Sequence, residues 1–224
     1  MDKSAVALLS GGLDSVTAAA VAAGQGYRLY ALTVSYGQRH SREIDSARVL
    51  ADWLGVIRHE VIELPISGLL KSTLTENESD IRVDRSAIGK GIPPTYVPAR
   101  NSILLSLALA WSESLGADAI VIGANSIDYS GYPDCRPEFL EVFQDLISVA
   151  TKKGVEGHSI RLLAPLITMS KADIVRKAVE LSVPIEKTWS CYGGGEKPCG
   201  VCESCLLRQR GFQSAGIRDP TTEG

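Results

Sequence analysis

The run Ser10-Gly11-Gly12-Leu13-Asp14-Ser15 holds the residue types that an anion cradle needs. It follows an apolar stretch at 5–9 and precedes Val16-Thr17-Ala18-Ala19-Ala20-Val21, a helix-favouring run. Two adjacent glycines let the backbone turn tightly and come close to a ligand. The helix that follows leaves its first N–H groups unpaired and adds partial positive charge, so phosphate oxygens are its natural guests. Ser10 and Ser15 add hydroxyl donors. Asp14 is an anion among anions, tolerable there beside a Mg²⁺ ion or as a helix cap.

Two common phosphate loops are excluded, because neither G-x-x-x-x-G-K-[ST] nor G-x-G-x-x-G occurs at this turn. The pattern S-G-G-x-D-S instead resembles the signature of the ATP pyrophosphatase (PP-loop) enzymes. That resemblance implies an ATP site at Leu9, Ser10, Gly11, Gly12, Leu13, Asp14, Ser15, Val16 and Thr17. The loop would hold the β,γ-pyrophosphate while a substrate oxygen takes AMP from the α-phosphorus.

A second constellation lies near the C-terminus. Cys191, Cys199, Cys202 and Cys205 stand as C-x7-C-x2-C-x2-C, with Gly193, Gly194, Gly195 and Gly200 supplying turns between them. Four thiolates suit a tetrahedral Zn²⁺, and a closed ligand set makes the ion structural. An iron–sulfur cluster is the rival, since C-x2-C-x2-C also opens ferredoxin sites. Those continue with C-x3-C-P, whereas Leu206-Leu207-Arg208-Gln209 follows here, which favours zinc. Disulfides are disfavoured in the cytoplasm expected below. Cys135 lies far away in sequence and reads as a single buried thiol.

The elements that must position these groups alternate. Strands are expected at 5–9, 29–35, 56–63, 119–123 and 161–163, and helices at 15–23, 42–54, 99–115, 137–151 and 171–181. Ser170 and Asp173 form a capping box before the last helix. Such βα alternation predicts a doubly wound, mostly parallel five-stranded α/β sheet, with ligands at the carboxyl ends of its strands. Residues 1–187 read as the PP-loop domain and 188–224 as a zinc-binding segment packed on it. The polar segment 71–94, ending in Gly89, Gly91, Pro93 and Pro94, reads as an active-site lid or a mobile segment.

Composition sets the class. The chain has 224 residues, enough to bury a full core, and 45% are apolar, which suits a globular domain. Its start, Met1-Asp2-Lys3-Ser4, lacks a leader's basic region, and no apolar run reaches the ~20 residues that span a bilayer, so a cytoplasmic protein is expected. A net charge of −3, from 23 basic and 26 acidic residues, disfavours a large polyanion as the main partner. Arg208, Arg210 and Arg218 read as a solvated helix face.

Further motifs narrow the family. Tyr36-Gly37-Gln38-Arg39-His40 follows the second strand, Tyr96-Val97-Pro98-Ala99-Arg100-Asn101 opens the third helix, and Gly123-Ala124-Asn125-Ser126 ends the fourth strand. Then comes Asp128-Tyr129-Ser130-Gly131-Tyr132-Pro133-Asp134-Cys135-Arg136-Pro137-Glu138-Phe139. With the four-cysteine tail, this set resembles the QueC (ExsB) family of 7-cyano-7-deazaguanine synthases in queuosine biosynthesis. The likeness runs from the first strand to the last cysteine. Leu13 departs from it, standing where many members carry Gln.

The resemblance implies an adenine nucleotide α-hydrolase-like fold and a ligase. That ligase turns 7-carboxy-7-deazaguanine and ammonia into the nitrile with ATP and Mg²⁺, and it is usually a homodimer. A PP-loop tRNA sulfur-transferase is the alternative. For the chemistry, Asp14 and Arg100 are the catalytic candidates, with Lys171 as a further phosphate neutraliser or else an exposed first-turn residue. Tyr36, Gln38, Arg39 and His40 are expected near ATP or the substrate carboxylate. A deazaguanine edge offers two donors, N1–H and the 2-amino group, that one carboxylate can accept. Asp128 and Asp134 are candidates for that carboxylate, and Tyr129 and Tyr132 for stacking. Those four residues could equally stabilise their own loop.

Overall fold

A computed structural model describes residues 2–37, 42–70, 72–74, 91–125 and 131–222. Its frame is a parallel sheet of strands β1 (Ser4–Leu8), β2 (Arg28–Ser35), β3 (His59–Glu63), β4 (Ala119–Val121) and β5 (Arg161–Leu163), ordered β3-β2-β1-β4-β5. The helices are α1 (Leu13–Gly24), α2 (Arg42–Leu54), α3 (Arg100–Leu115), α4 (Pro137–Ala150), the short α5 (Lys152–Val155), α6 (Lys171–Glu180) and α7 (Glu203–Ala215).

Alternation along β1 explains the layering. Ala5, Ala7 and Leu9 turn to one side with α1, α2, α6 and Phe212 of α7, while Val6 and Leu8 turn to the other with α3 and α4. A central parallel strand buried on both faces must be apolar throughout, as this one is. Alanines 18, 19 and 22 of α1 are buried and small, which lets that helix lie close to the sheet.

The sheet reverses its winding between β1 and β4, so their carboxyl ends open a crevice there. The glycine turn fills that place. Gly11 has φ +84°, open to glycine and costly for other residues, and a Cβ on it would run into the Glu43 carbonyl oxygen of α2. At the other wall, Gly123 comes up against the backbone of Asp14 and Ser15.

Element boundaries move by a few residues from the sequence expectation. β3 starts at His59 rather than 56, and β4 ends at Val121 although Ile122 N still donates to Leu163 O at 2.9 Å. Ser170 and Asp173 do form a capping box, with Asp173 N on Ser170 Oγ and Ser170 N on Asp173 Oδ2. The expectation for Arg208 is corrected. It is buried in α7, where it donates to Asp219 at 2.6 and 3.0 Å and to Thr188 Oγ1 at 2.8 Å, while Arg210 and Arg218 are exposed. Among the described residues no helix is long and apolar enough to cross a membrane.

Candidate active site

A cavity of about 300 Å³ opens at the carboxyl ends of β1, β2 and β4. Leu9, Ser10, Gly12, Leu13, Asp14, Ser15, Tyr36, Arg100, Tyr132 and Lys171, all expected from the sequence, line it. Gly12 is the N-cap of α1 with extended backbone, and no side chain caps the helix. The first N–H groups of α1 therefore face the crevice without intrahelical partners. Ser15 Oγ donates to Gly12 O at 3.0 Å and Ser10 Oγ donates to Ser15 Oγ at 3.1 Å, which stiffens the turn.

Asp14 does not cap its helix, and its half-buried carboxylate is held by two partners. Lys171 Nζ donates to its two oxygens at 2.6 and 2.5 Å, and Asn125 Nδ2 donates at 2.9 Å. Lys171 is thus no exposed first-turn residue: its side chain is 18% exposed. Its aliphatic stem lies on Gly211 of α7, where an added Cβ would stand 2.5 Å from Lys171 Cγ.

Two expected nucleotide residues have their side chains behind the cradle. Val16 and Thr17 are fully buried on the core side of α1, and Thr17 Oγ1 donates back to Leu13 O at 2.6 Å. They brace the cradle from behind rather than facing the cavity.

Deeper in the crevice, Arg100 opens α3 just after Ala99, which is held in the left-handed region at φ 52°. That conformation is costly for a residue with a Cβ, and such strain gathers at functional sites. Burial works against the Arg100 charge, but Tyr36, then Cys135 and Tyr132, hold its guanidinium above the ordinary range. Arg100 Nη1 reaches Tyr36 Oη at 3.5 Å. Glu43 of α2 also lines the cavity. Burial pushes its carboxyl up to about 7 against the opposing pull of Arg100, with Cys191 adding to the rise, so this acid titrates near neutrality. Sequence reasoning missed it, because nothing in its local pattern marks it.

Of the two duties the sequence left open for Asp134, the structure displays the local, structural one. Its carboxylate accepts the backbone N–H of Asn101 at 2.8 Å, and its carbonyl accepts Asn101 Nδ2 at 3.0 Å. It caps α3 from outside the helix, in place of the capping side chain that Ala99 lacks. Among the described residues that line the cavity, Asn101 and Cys135 appear and Asp134 does not. Tyr132 stacks on Tyr96, with ring centroids 6.0 Å apart, and its hydroxyl meets Thr95 Oγ1 at 3.1 Å. Gln38, Arg39, His40, Asp128 and Tyr129 lie outside the described residues, as do 71 and 75–90 of the expected lid. The described ends of that segment meet beside the cavity: Thr73 N donates to Pro94 O at 3.2 Å, and Leu74, Gly91 and Pro93 are in the cavity wall.

The C-terminal segment closes the crevice. Trp189 N donates to Gly11 O at 2.9 Å, and the Arg42 guanidinium sits 4.8 Å from the Trp189 ring centre. Beyond it, the Sγ atoms of Cys191, Cys199, Cys202 and Cys205 all lie within 4.8 Å of one another. Thiolates at ~2.3 Å from a tetrahedral zinc stand about 3.8 Å apart, so the cluster fits such an ion with small adjustment. Cys191 Sγ accepts N–H bonds from Gly193 and Cys199, both at 3.2 Å. The thiols of Cys202 and Cys205 donate to it as well, which holds Cys191 far below the ordinary thiol range and pushes both donors up.

Comparison with known proteins decides the family. A model described as "Queuosine biosynthesis protein QueC" matches residues 4–216. The chain belongs to the QueC family. A relative from Ralstonia pickettii, named 7-cyano-7-deazaguanine synthase, is 49% identical over 223 residues, covering 99% of each chain. One of the same name from Pseudomonas fluorescens is 52% identical over 221 residues, covering 98% of this chain and 97% of that one. Among solved structures, the NMN synthetase of Francisella tularensis shares the fold. Its TM-score is 0.54 at 16% identity, covering 97% of this chain and 79% of that chain.

Proposed function

We propose that the chain is an ATP-dependent 7-cyano-7-deazaguanine synthase that converts 7-carboxy-7-deazaguanine and ammonia into the nitrile. Membership of the QueC family carries this reading, and the cavity's chemistry supports it. A carboxylate is a poor electrophile because its charge repels nucleophiles and oxide is a poor leaving group. Its oxygen attacks the α-phosphorus of ATP, pyrophosphate leaves, and the acyl adenylate forms. Ammonia adds to that carbonyl, AMP departs with the oxygen, and a proton is released to give the amide. The amide oxygen attacks a second ATP in the same way, pyrophosphate leaves, and one of the two N–H protons is given up to form the adenylated imidate. Loss of AMP and the remaining N–H proton then leaves the nitrile.

Both rounds need the departing pyrophosphate held by preorganised donors. The open N–H groups of α1 are those donors, Ser10 and Ser15 join them when their hydroxyls turn from the loop to the phosphate, and Lys171 neutralises phosphate charge when it leaves Asp14. Arg100, beside Tyr36, serves the anionic end of the acid. A Mg²⁺ ion held by Asp14 would supply Lewis-acid stabilisation of the phosphates. The four cysteines hold a structural zinc that keeps the tail on the crevice. We further propose a cytoplasmic homodimer, with residues 1–187 and 188–224 as catalytic domain and zinc-binding segment. The family match gives no support to the alternative of a tRNA sulfur-transferase.

The deciding experiment incubates the protein with the acid, ammonium, Mg²⁺ and α-labelled ATP. Labelled AMP and a product of nitrile mass are expected. Acid-dependent AMP without a nitrile, or no AMP at all, would refute the assignment.

A further inference from the structure

Asp134 is engaged in capping α3, so the question of which described carboxylate meets the substrate's donor edge reopens. Glu203 answers it on chemistry that the sequence did not mark. It stands between the third and fourth cysteines of the cluster, in the first turn of α7, and is 6% exposed. It nevertheless lines the cavity, on the same wall as Tyr132 and Tyr192.

Its hydrogen bonds have a direction. Thr95 is 2% exposed, and its hydroxyl has one proton, which it donates to Glu203 Oε2 at 2.7 Å. Thr95 Oγ1 must then accept from the Tyr132 hydroxyl at 3.1 Å. The chain Tyr132 to Thr95 to Glu203 thus presents Glu203 as an acceptor. Among the described residues no cation pairs with Glu203, and no donor meets its Oε1. Among the described residues Oε1 is not one of the sealed polar atoms without a partner; it opens on the cavity, where a ligand's donor can complete the carboxylate.

We propose that Glu203 reads the deazaguanine edge, with Oε1 accepting N1–H and Oε2 sharing its second lone pair with the 2-amino group. The inference rests on the substrate proposed above and deepens it. Thr95 is a positioning residue that fixes the plane of the carboxylate, and Tyr132 supplies the neighbouring aromatic wall. The arrangement selects the guanine-type pattern of two adjacent donors. It disfavours a 2-oxo ring, whose acceptor would face a carboxylate.

The test measures nitrile formation from 7-carboxy-7-deazaguanine and from its 2-oxo (xanthine-type) analogue, in the wild type and in Glu203→Gln. A glutamine can accept N1–H and donate to a 2-oxo group, so the preference should turn over. We expect kcat/KM for the natural acid to fall about 100-fold, and the analogue to gain at least about tenfold relative to it. The KM for ATP and the cysteine-bound metal should stay unchanged. Equal losses on both substrates, or an unaltered preference, would overturn the assignment and leave Glu203 as a helix-end acid. Thr95→Val keeps the carboxylate and frees Oε2, so it carries the test alone if Glu203→Gln does not fold. Discrimination there should fall about fivefold, mainly through KM for the acid, and undiminished discrimination would overturn the proposal. A wild type that makes no nitrile would sink the functional reading itself, a result distinct from either of these.

Discussion

Two carboxyl groups in the crevice differ in what holds their charge. Asp14 is met by Lys171 and Asn125, so its negative charge is compensated where phosphate would otherwise repel it. Removing it in Asp14→Ala should lower turnover at least about 100-fold, because Lys171 loses its station and the phosphate end loses its acid. The pair is partly exposed, so the thermal midpoint should fall by only a few degrees. Turnover near the wild-type level would exclude a role at the phosphates. At Glu43 burial instead raises the carboxyl into the neutral range, with Arg100 opposing and Cys191 reinforcing. Its folded value of about 7 exceeds the ordinary 4.5, so the native state binds the proton more tightly. The stability this contributes is full below pH 4.5 and is lost as pH rises through about 7. Glu43→Gln should therefore match the wild type near pH 4.5 and exceed it at pH 8 by roughly 1–3 kcal/mol. Urea unfolding at the two pH values measures this, and a pH-independent difference would refute it.

At the scale of elements, α7 sets the geometry of a residue it does not contain. Gly211 is buried against Lys171, and a methyl group there would stand 2.5 Å from Lys171 Cγ and 3.1 Å from its Cβ. Helix propensity alone would make Gly211→Ala stabilising by about 1 kcal/mol. Because the stem must move instead, we expect the KM for ATP to rise about tenfold with kcat little changed. In a Lys171→Ala background the same substitution should cost almost nothing, and an equal cost in both backgrounds would make Gly211 merely structural. This coupling also marks where sequence reasoning ran out. β1, the glycine turn and α1 were legible because apolar alternation, paired glycines and an alanine run all act within a few residues. The duties of Arg208, Asp134 and Glu203 depend on partners brought together by the fold. Arg208 meets Asp219 in the segment beyond the end of its own helix, Asp134 caps a helix that begins thirty-odd residues earlier, and Thr95 reaches Glu203 across half the chain. No periodicity encodes such pairings. Glu203 lies inside a cysteine motif whose spacing signals a metal site and carries no separate mark for a carboxylate.

For the whole molecule, the sheet's reversal makes the crevice, and the C-terminal segment closes it. That closure is fastened at both ends. Trp189 bonds the glycine turn and lies under Arg42, while buried Arg208 ties α7 to Thr188 and Asp219. Between these fastenings the backbone from 190 to 202 has no strand or helix of its own, apart from an isolated bridge position at 202. The cysteine cluster, together with the bond from Arg42 Nη1 to Glu196 O at 2.6 Å, holds it in shape. A metal that binds only the folded tail stabilises that tail by mass action. The main sheet, whose two apolar clusters exclude the four tail cysteines, does not depend on it directly. Stripping the metal with a chelator, or replacing Cys202 with serine, should then loosen 189–215 before the rest. Hydrogen exchange should show protection lost across α7 while β1 and β4 keep theirs. Because Trp189, Glu203 and the Lys171 support at Gly211 all ride on the tail, affinity for ATP and for the acid should weaken together, each by about tenfold or more. Loss of protection in tail and sheet in a single step would make the cluster part of the main core. Unchanged affinities in metal-free protein would show that the crevice is complete without its tail.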